Sequence, residues 1–471
     1  MAERSRTNGS ALSRVPSVDR CLAFEPVQEL LAKHPRRTVV RAIRETLADL
    51  REKLLAKSAA GDELLEEPRL ADAIGRRTAE LLRPRVRRVV NATGIILHTG
   101  LGRAVWPEAA RRAMREEATG PAVVEISPET GERTVRTHAV QDLLCELTGA
   151  EAATVVNNNA AATMLILNTV SDGREVIVSR GQLVEIGGSF RMPDVMTKSG
   201  SILADVGTTN RTHRKDYVAA INENTGAIFR AHTSNYKVVG FTKEVPIEEL
   251  VEIGREFDLP VIDDVGSGAL IDMSRFGFGE EPVVSKSVAA GADLVCFSGD
   301  KLIGGPQSGF IVGSAECVRK MEKNPLARAF RVDKITLAGV EATLKMFLDE
   351  ETLFEKHPTM RMVALPAEEL ERRANALRDE IRKAVPGITA QVLPESSQLG
   401  SGSLPTKNLP THVVALRHGS LSSGDLARAL RMSEPSIFPR VKQDEVLIDP
   451  RTLQDGEDQI VVETLAAIAK A

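Results

Sequence analysis

The stretch CFSGDKLIGGP, residues 296–306, sets a lysine directly after a short apolar run and among glycines. The run Asp293–Phe297 has the length and composition of a buried strand. A lysine that follows such a strand can project into the cleft beyond the strand ends of a parallel sheet. An ammonium group desolvated there loses its proton readily, and Lys301 then acts as a reactive neutral amine. The alternative is a solvated surface lysine in a glycine loop.

A second stretch, VIDDVGSG at residues 261–268, ends another short apolar run in two acids. Burying a carboxylate at a strand end is costly unless the carboxylate meets a positive partner. The protonated ring nitrogen of a cofactor is such a partner. A helix N-cap and a metal ligand are the alternatives for Asp263 and Asp264.

A third stretch, NNNAAA at residues 157–162, follows the run Thr154–Val156 and opens an apolar helical segment. Backbone amides at a helix start, beside small residues, can bind a phosphate. The alternative is an ordinary polar turn in which an asparagine caps the helix.

These stretches lie in a region of alternating short β-branched runs and helical segments. The runs are Thr154–Val156, Glu175–Val178, Ile202–Val206, Ala227–His232, Pro260–Ile262, Asp293–Phe297 and Phe310–Val312. Such alternation predicts an α/β fold with a mostly parallel central sheet. A phosphate turn, then a strand-end aspartate, then a strand-end lysine is the chain order of the type I pyridoxal-phosphate-dependent aminotransferase-like fold.

The two ends of the chain differ from this middle region. Apolar residues at three- and four-residue steps predict one N-terminal helix around residues 39–54, and a second covers about Arg69–Leu82. A smaller α+β segment follows residue 345, in which Ser396–Leu404 has the composition of a loop. We therefore predict a helical domain at 1–85, a large cofactor-binding catalytic domain at 86–345 and a small C-terminal α+β domain at 346–471.

Composition indicates a globular protein of the cell interior. The 471 residues are 42% hydrophobic, enough to bury a sizeable core, and no run of about 20 apolar residues could span a membrane. The start, MAERSRTNGS, has no apolar segment typical of a secretion signal. The four cysteines are scattered without metal-binding spacing. We expect free thiols in a reducing cytoplasm and no metal site.

Charge is distributed unevenly. Residues 1–90 carry 19 lysines and arginines against 13 acids, a net charge of +6, so the remaining residues carry −10. A basic end favours an acidic partner such as a nucleic acid, although many surface helices are equally basic.

Several long runs of the sequence resemble the bacterial selenocysteine synthase family, the L-seryl-tRNA(Sec) selenium transferases. The runs are SVDR, NATGIILHTGLGRA, NNNAAATML, SRGQLVEIGGSFRMPDVM, VGTTNRTH, HTSNYKVVGFT, DDVGSG, FSGDKLIGGPQSGFIVG and RVDKITLAGVEATL. The resemblance covers nearly the whole chain. It implies conversion of L-seryl-tRNA(Sec) to L-selenocysteinyl-tRNA(Sec) with selenophosphate, by pyridoxal-phosphate-dependent elimination of water through a dehydroalanyl-tRNA, followed by selenium addition.

The resemblance also implies residue roles. Lys301 matches the lysine that binds pyridoxal 5′-phosphate covalently and then acts as general base. Asp300, beside Lys301, is predicted to be catalytic and by resemblance belongs to the pocket of the selenium donor. Asp263 is the first choice for the pyridine nitrogen and Asp264 the alternative. The remaining predicted cofactor contacts are Asn157, Asn158, Asn159 and Ser298 for the phosphate and Asn235 for the phenolate oxygen. His98 and His232 are interpreted as structural hydrogen-bonding residues.

For the selenium donor, the resemblance assigns three arginines. Arg103, Arg328 and Arg331 match the family's anion-binding arginines, and guanidinium groups suit a phosphate-like anion. The N-terminal helical domain is expected to bind tRNA, mainly through phosphate and sugar because aromatic residues make up only 3% of the chain. We further expect a homodecamer built from dimers.

The rival hypothesis is a related pyridoxal-phosphate-dependent lyase or aldolase that acts on a small amino acid. Such an enzyme would keep Lys301 and the aspartates but would need no basic helical domain. The basic N-terminal segment favours the tRNA substrate. A tRNA-binding module without catalysis is disfavoured by the lysine, the aspartate pair and the three arginines.

Overall fold

The computed structural model describes residues 12–56, 59–187, 190–279, 281–400 and 403–470. The chain divides into two compact units, one up to Arg88 and the other from Val89 onward. Across the described residues, no helix combines the length and the apolar character needed to cross a membrane.

The described part of the first unit is helical. Its helices are α1 (Val18–Leu22), α2 (Glu25–Lys33), α3 (Arg36–Leu55), α4 (Ala59–Glu63) and α5 (Glu67–Leu82). The apolar stripe of α3, including Ile43, Leu47 and Leu50, is buried against α5, whose Leu70 and Ile74 belong to the same core. The predicted helical texture of this segment is confirmed.

The second unit contains a seven-stranded sheet among its described residues. Its strands are β2 (Ala152–Val156), β3 (Glu175–Ser179), β6 (Ile202–Val206), β7 (Thr225–Ala231), β8 (Val261–Gly266), β9 (Leu294–Ser298) and β10 (Gly309–Gly313). Their spatial order is β2-β10-β9-β8-β7-β3-β6, and only the pairs made by β10 are antiparallel. The predicted strands and the mostly parallel sheet are confirmed.

Helices cover both faces of this sheet. They are α6 (Glu108–Ala118), α7 (His138–Thr148), α8 (Asn159–Ser171), α9 (Met192–Lys198), α10 (Arg214–Ala220), α11 (Ile247–Phe257), α12 (Val284–Ala290), α13 (Ala315–Glu322), α14 (Pro325–Ala329) and α15 (Lys334–Met346). Side chains alternate along a strand, so Ile177 joins the apolar core on one face while Val176 and Val178 join the core on the other. Burial on both faces explains why these strands read as continuous apolar runs.

A second sheet of five strands has the order β1-β13-β14-β12-β11 within the described residues. The strands are β1 (Val89–Ala92), β11 (Ile388–Gly400), β12 (Ser403–His418), β13 (Ser436–Lys442) and β14 (Glu445–Ile448). The remaining helices are α16 (Glu350–Lys356), α17 (Pro358–Ala364), α18 (Ala367–Ala384), α19 (Ser423–Met432) and α20 (Glu457–Lys470). The two-residue strands β4 (Glu185–Ile186) and β5 (Phe190–Arg191) pair with each other in a separate two-stranded sheet.

The predicted loop over Ser396–Leu404 is wrong for most of its length, because β11 continues to Gly400 and β12 begins at Ser403. Residues 401 and 402 lie outside the described ranges. Serine is typical of loops, but here Ser397 pairs with Leu409 and its hydroxyl donates to the buried Asp449 (2.8 Å). A buried polar partner therefore offsets the weak strand preference of serine.

Candidate active site

A cavity of about 420 Å³ lies at the carboxyl ends of β7, β8 and β9 and at the start of α8. The parallel strand ends gather side chains that are far apart in sequence. The predicted site residues that line this cavity are Arg103, Asn158, Asn159, Asn235, Asp264, Ser298, Asp300 and Lys301.

Lys301 is buried in a tight turn after β9, with 5% of its surface exposed. Gly304 N donates to Lys301 O (3.0 Å), and Gly305 N donates to Gly299 O (2.9 Å). Gly304 has a φ of 70°, and a Cβ there would come within 2.2 Å of the His357 ring, so this position requires glycine. Gly299, Gly304 and Gly305 therefore form the tight turn that directs the Lys301 side chain into the cavity.

The environment of Lys301 shifts its amine toward the neutral form. Burial is the main cause that lowers the pKa of Lys301, and the nearby Arg103 lowers it further. Asp264, Asp300 and Glu281 act in the opposite direction. A buried lysine with a lowered pKa in a cleft is the arrangement that a nucleophilic amine requires.

The two adjacent aspartates of β8 face opposite sides of the sheet. Asp264 lines the cavity, where its carboxylate accepts from Asn159 Nδ2 (2.8 Å) and Thr163 Oγ1 (3.2 Å), and burial raises its pKa. Asp263 points away and accepts from Arg230 Nη1 (2.9 and 3.0 Å) and Ser287 Oγ (2.6 Å). The alternation of strand side chains thus reverses our order of preference, and Asp264 replaces Asp263 as the acid that faces the cavity.

The three asparagines after β2 differ in position. Asn158 caps α8, its side-chain oxygen accepting from Ala161 N (2.9 Å), and Asn159 holds Asp264. Asn157 is exposed, does not line the cavity, and its backbone N–H donates to Phe330 O (3.0 Å). Asn157 therefore lies outside the set of residues that line the cavity, unlike Asn158 and Asn159.

Three polar atoms of the residues that line the cavity lack partners among the described residues: Nε2 of His232, Oδ1 of Asn235 and Oδ1 of Asn159. Asn235 uses its Nδ2 to donate to Glu185 O (2.6 Å). Burial lowers the pKa of His232 to about 4, so its imidazole is neutral. Unpaired buried groups that face one cavity suit a polar ligand, and the orphaned nitrogen gives His232 a ligand-facing position that its sequence motif did not suggest.

The cavity suits pyridoxal 5′-phosphate on its own geometry. It combines a buried amine at Lys301, an acid at the strand end in Asp264, and the amino end of α8 beside Ser298. A Cβ at Gly309 would come within 2.2 Å of Asn158 O, so glycine allows the backbone to close around the α8 start. These groups match the aldehyde, the ring nitrogen and the phosphate of that cofactor.

The three predicted anion-binding arginines do not share one cavity of the chain. Arg103 lines the Lys301 cavity and donates to Asp300 Oδ2 (2.7 Å). Arg328 and Arg331 line a separate cavity of about 260 Å³, in which Arg331 donates to Glu125 (3.1 Å). The spacing of these arginines along the sequence does not reveal that Arg103 lies in a different cavity from Arg328 and Arg331.

Glu281 is a further buried acid that the sequence reasoning missed. It follows the turn Gly277–Gly279, its side chain is 4% exposed, and Lys301 lies close enough to influence its pKa. No motif marked it, because a glutamate in a loop is normally a surface residue.

Comparison with known proteins gives consistent results. Residues 89–454 match the family described as L-seryl-tRNA selenium transferase, and residues 12–51 match the N-terminal family of selenocysteine synthase. An L-seryl-tRNA(Sec) selenium transferase of Geotalea daltonii is 46% identical over 459 residues, 97% of this chain and 99% of the relative. The protein of that name in Geobacter sulfurreducens is 46% identical over 458 residues, with the same coverage.

Among solved structures, D-glucosaminate-6-phosphate ammonia-lyase matches with a TM-score of 0.58 and 21% identity, covering 83% of this chain and 98% of that one. At this identity the likeness concerns the fold alone, and it agrees with the predicted aminotransferase-like α/β class. The full-length relatives and the family match carry the assignment further: the chain belongs to the L-seryl-tRNA selenium transferase family.

Proposed function

We propose that this protein converts L-seryl-tRNA(Sec) to L-selenocysteinyl-tRNA(Sec), with selenophosphate as selenium donor and pyridoxal 5′-phosphate bound at Lys301. The observation that carries the proposal is the buried Lys301 beside Asp264 in a strand-end cavity of a chain that belongs to this family. A lyase or aldolase of small amino acids would share the cavity, but the named relatives do not favour it.

The bound cofactor supplies an electron sink next to the α-carbon of the seryl group. Lys301 Nζ would hold the cofactor, and as a neutral amine it would remove the α-proton of the seryl group as general base. Asp264 would hold the pyridine nitrogen and keep it protonated, and Asn159 and Thr163 orient the Asp264 carboxylate for that role. The seryl hydroxyl would leave the β-carbon and take up a proton to depart as water. Selenium from selenophosphate would then add at the β-carbon, a proton would return to the α-carbon, and water would break the phosphorus–selenium bond to release phosphate.

The other groups of the cavity bind and orient. Ser298 and the amino end of α8, capped by Asn158, suit the cofactor phosphate. Asn235 offers its unpaired side-chain oxygen toward the cavity and would lie near the phenolate oxygen. Asp300 holds Arg103, whose guanidinium can bind an anion at the cavity edge.

Arg328 and Arg331 contribute to the donor site from a second copy of the chain. Both residues are exposed in the single chain, and their cavity is separate from that of Lys301. In a dimer, the arginine pair of one copy could face the Lys301 cavity of the other, which agrees with the expected homodecamer of dimers.

The helical unit that precedes the catalytic domain would bind the tRNA. On α3, Arg36, Arg37, Arg41 and Arg44 line one groove, and they can contact phosphates without reading base sequence. The division at residues 85 and 345 into tRNA-binding, catalytic and small C-terminal domains belongs to this proposal. So does a cytoplasmic location, supported by the free thiols of all four cysteines.

The test is a reconstituted reaction. Purified protein, pyridoxal 5′-phosphate, selenophosphate and seryl-tRNA(Sec) should yield tRNA whose released amino acid has the mass of selenocysteine. Seryl-tRNA of an ordinary serine isoacceptor serves as the control substrate and should remain seryl-tRNA. Unchanged seryl-tRNA(Sec), together with cleavage of free serine or threonine, would instead establish the lyase or aldolase.

A further inference from the structure

Glu281 is a buried acid that the proposed reaction does not use. Only 4% of the surface of Glu281 is exposed to solvent. Even so, neither of its carboxylate oxygens has a hydrogen-bond partner among the described residues. An unpaired buried carboxylate is strongly unfavourable, so such a group either holds a proton or faces a cation.

Backbone hydrogen bonds connect the Glu281 segment to the Lys301 turn through the residues after β8. Val284 N donates to Ala269 O (2.9 Å), and Leu302 N donates to Ser267 O (3.1 Å). The Ser267 hydroxyl lies near enough to the Glu281 carboxyl to lower its pKa, though outside hydrogen-bond geometry. The same short turn therefore contacts both the segment that carries Glu281 and the residue after Lys301.

The other acids near Lys301 already have partners. The titratable and charged groups around the amine are Arg103, His232, Asp264, Glu281 and Asp300. The two aspartates accept hydrogen bonds, Asp264 from Asn159 and Thr163 and Asp300 from Arg103. Among the described groups of this set, Glu281 is the acid whose charge is free to follow that of Lys301.

Glu281 and Lys301 influence each other in the direction this requires. Burial raises the pKa of Glu281, whereas Lys301 lowers it. Burial lowers the pKa of Lys301, whereas Glu281 raises it. Each group thus favours the charged form of the other, and burial favours the neutral form of both.

We propose that Glu281 is a positioning residue that carries the counter-charge of Lys301. It is a carboxylate while Lys301 is an ammonium, and it is a carboxylic acid while Lys301 is a neutral amine. One proton is held by the pair, so the buried cluster keeps its net charge when the amine becomes reactive. This inference rests on the proposed role of Lys301 as the cofactor lysine.

The experiment measures the pH dependence of cofactor uptake by protein freed of cofactor. Pyridoxal 5′-phosphate is added, and the rate of its covalent addition is followed by absorbance across the neutral range. In Glu281→Gln the amine loses the carboxylate that stabilises its ammonium form, so the rate profile shifts to lower pH and uptake at the acid end becomes faster. Glu316→Gln, at an exposed glutamate of α13, should leave the profile unchanged.

A second variant keeps the test decisive if Glu281→Gln fails to fold. Ser267→Ala removes the hydroxyl that favours the Glu281 carboxylate, so the profile should move in the same direction by a smaller amount. A folded Glu281→Gln variant, or failing that Ser267→Ala, with an unaltered profile would overturn the inference. Failure of the wild-type protein to bind pyridoxal 5′-phosphate at Lys301 is a different result, and it would refute the proposed function itself.

Discussion

The N-terminal helical unit and the Lys301 cavity contain the same types of charged side chain in opposite surroundings. On α3, Arg41 pairs with Glu45 at the surface, with 66% of the arginine side chain exposed. In the cavity, Lys301 and Asp264 are each 5% exposed. Water and salt screen the charges of the helical unit, so these charges attract a polyanion in a way that depends on salt concentration. Burial instead alters the proton affinity of the charged groups in the cavity.

This difference predicts how strongly the removal of each charge affects activity. A buried charge at a reacting centre should be indispensable, an exposed one that a second copy covers should affect a single step, and one that stays exposed should change only affinity and its salt dependence. The following variants test that order, beginning with the most buried group.

Lys301→Ala should abolish both turnover and the covalent attachment of the cofactor, because no other amine lines the cavity among the described residues. Borohydride reduction of the loaded wild-type protein, followed by peptide mapping, should label Lys301 alone. Lys286→Ala removes an exposed lysine that pairs with Asp272 and should keep the label. A label on any lysine other than Lys301 contradicts the assignment.

Asp263 and Asp264 should differ in kind as well as in size of effect. Asp263→Asn weakens the buried pairing with Arg230 and should destabilise the fold by about 3–5 kcal/mol, measured as a lower denaturation midpoint. Asp264→Asn should keep the midpoint near that of the wild type. It should slow elimination on the order of ten- to a hundredfold, since a charged hydrogen bond contributes about 1.5–3 kcal/mol.

The reverse result, a destabilised Asp264→Asn protein and a catalytically impaired but stable Asp263→Asn protein, would show that the cavity-facing acid was misidentified. The pair also marks the limit of sequence reasoning. Apolar runs around DDVGSG indicated a buried strand that ends in acids. Which acid faces the ligand depends on the packing on each side of the sheet, and both faces of this strand are apolar.

Other features of the structure also divide into those that local sequence patterns predict and those that depend on long-range packing. Local patterns sufficed for the strands, for the glycine turn around Lys301 and for the helical N-terminal segment. The separation of Arg103 from Arg328 and Arg331 arises from long-range packing, and so does the burial of Glu281. The strand through Ser397 was missed because its polar side chain is stabilised by Asp449, which lies 52 residues further along the chain.

Arg328→Ala and Arg331→Ala should affect selenium addition and spare elimination. If a second copy covers these side chains, each contributes a charge-assisted contact of about 1.5–3 kcal/mol to the donor, so the second half-reaction slows on the order of ten- to a hundredfold. Dehydroalanyl-tRNA should accumulate, and an added thiol should trap it.

Arg133→Ala is the matched control, because Arg133 lines the same cavity and pairs with Glu125 but has 79% of its side chain exposed. It should leave both half-reactions near wild-type rates. Equal loss of both half-reactions in a folded, cofactor-loaded Arg328→Ala or Arg331→Ala protein would mean that these arginines serve the tRNA or the cofactor.

The smallest effect is expected from a single arginine of the α3 groove. Arg37 is exposed, so Arg37→Ala should leave the fold and the turnover at saturating seryl-tRNA(Sec) unchanged. It should weaken tRNA binding and reduce the slope of log affinity against log salt by about one unit, the share of one phosphate contact. Arg41→Ala, on the same helix, should reduce the slope less, because Glu45 already accepts from Arg41 Nε (2.7 Å) and competes with the phosphate. Filter binding at several salt concentrations measures both variants. If Arg37→Ala lowers turnover at saturation while the salt slope stays constant, the exposed charges of the helical unit do more than attract a polyanion, and the contrast with the buried cavity fails.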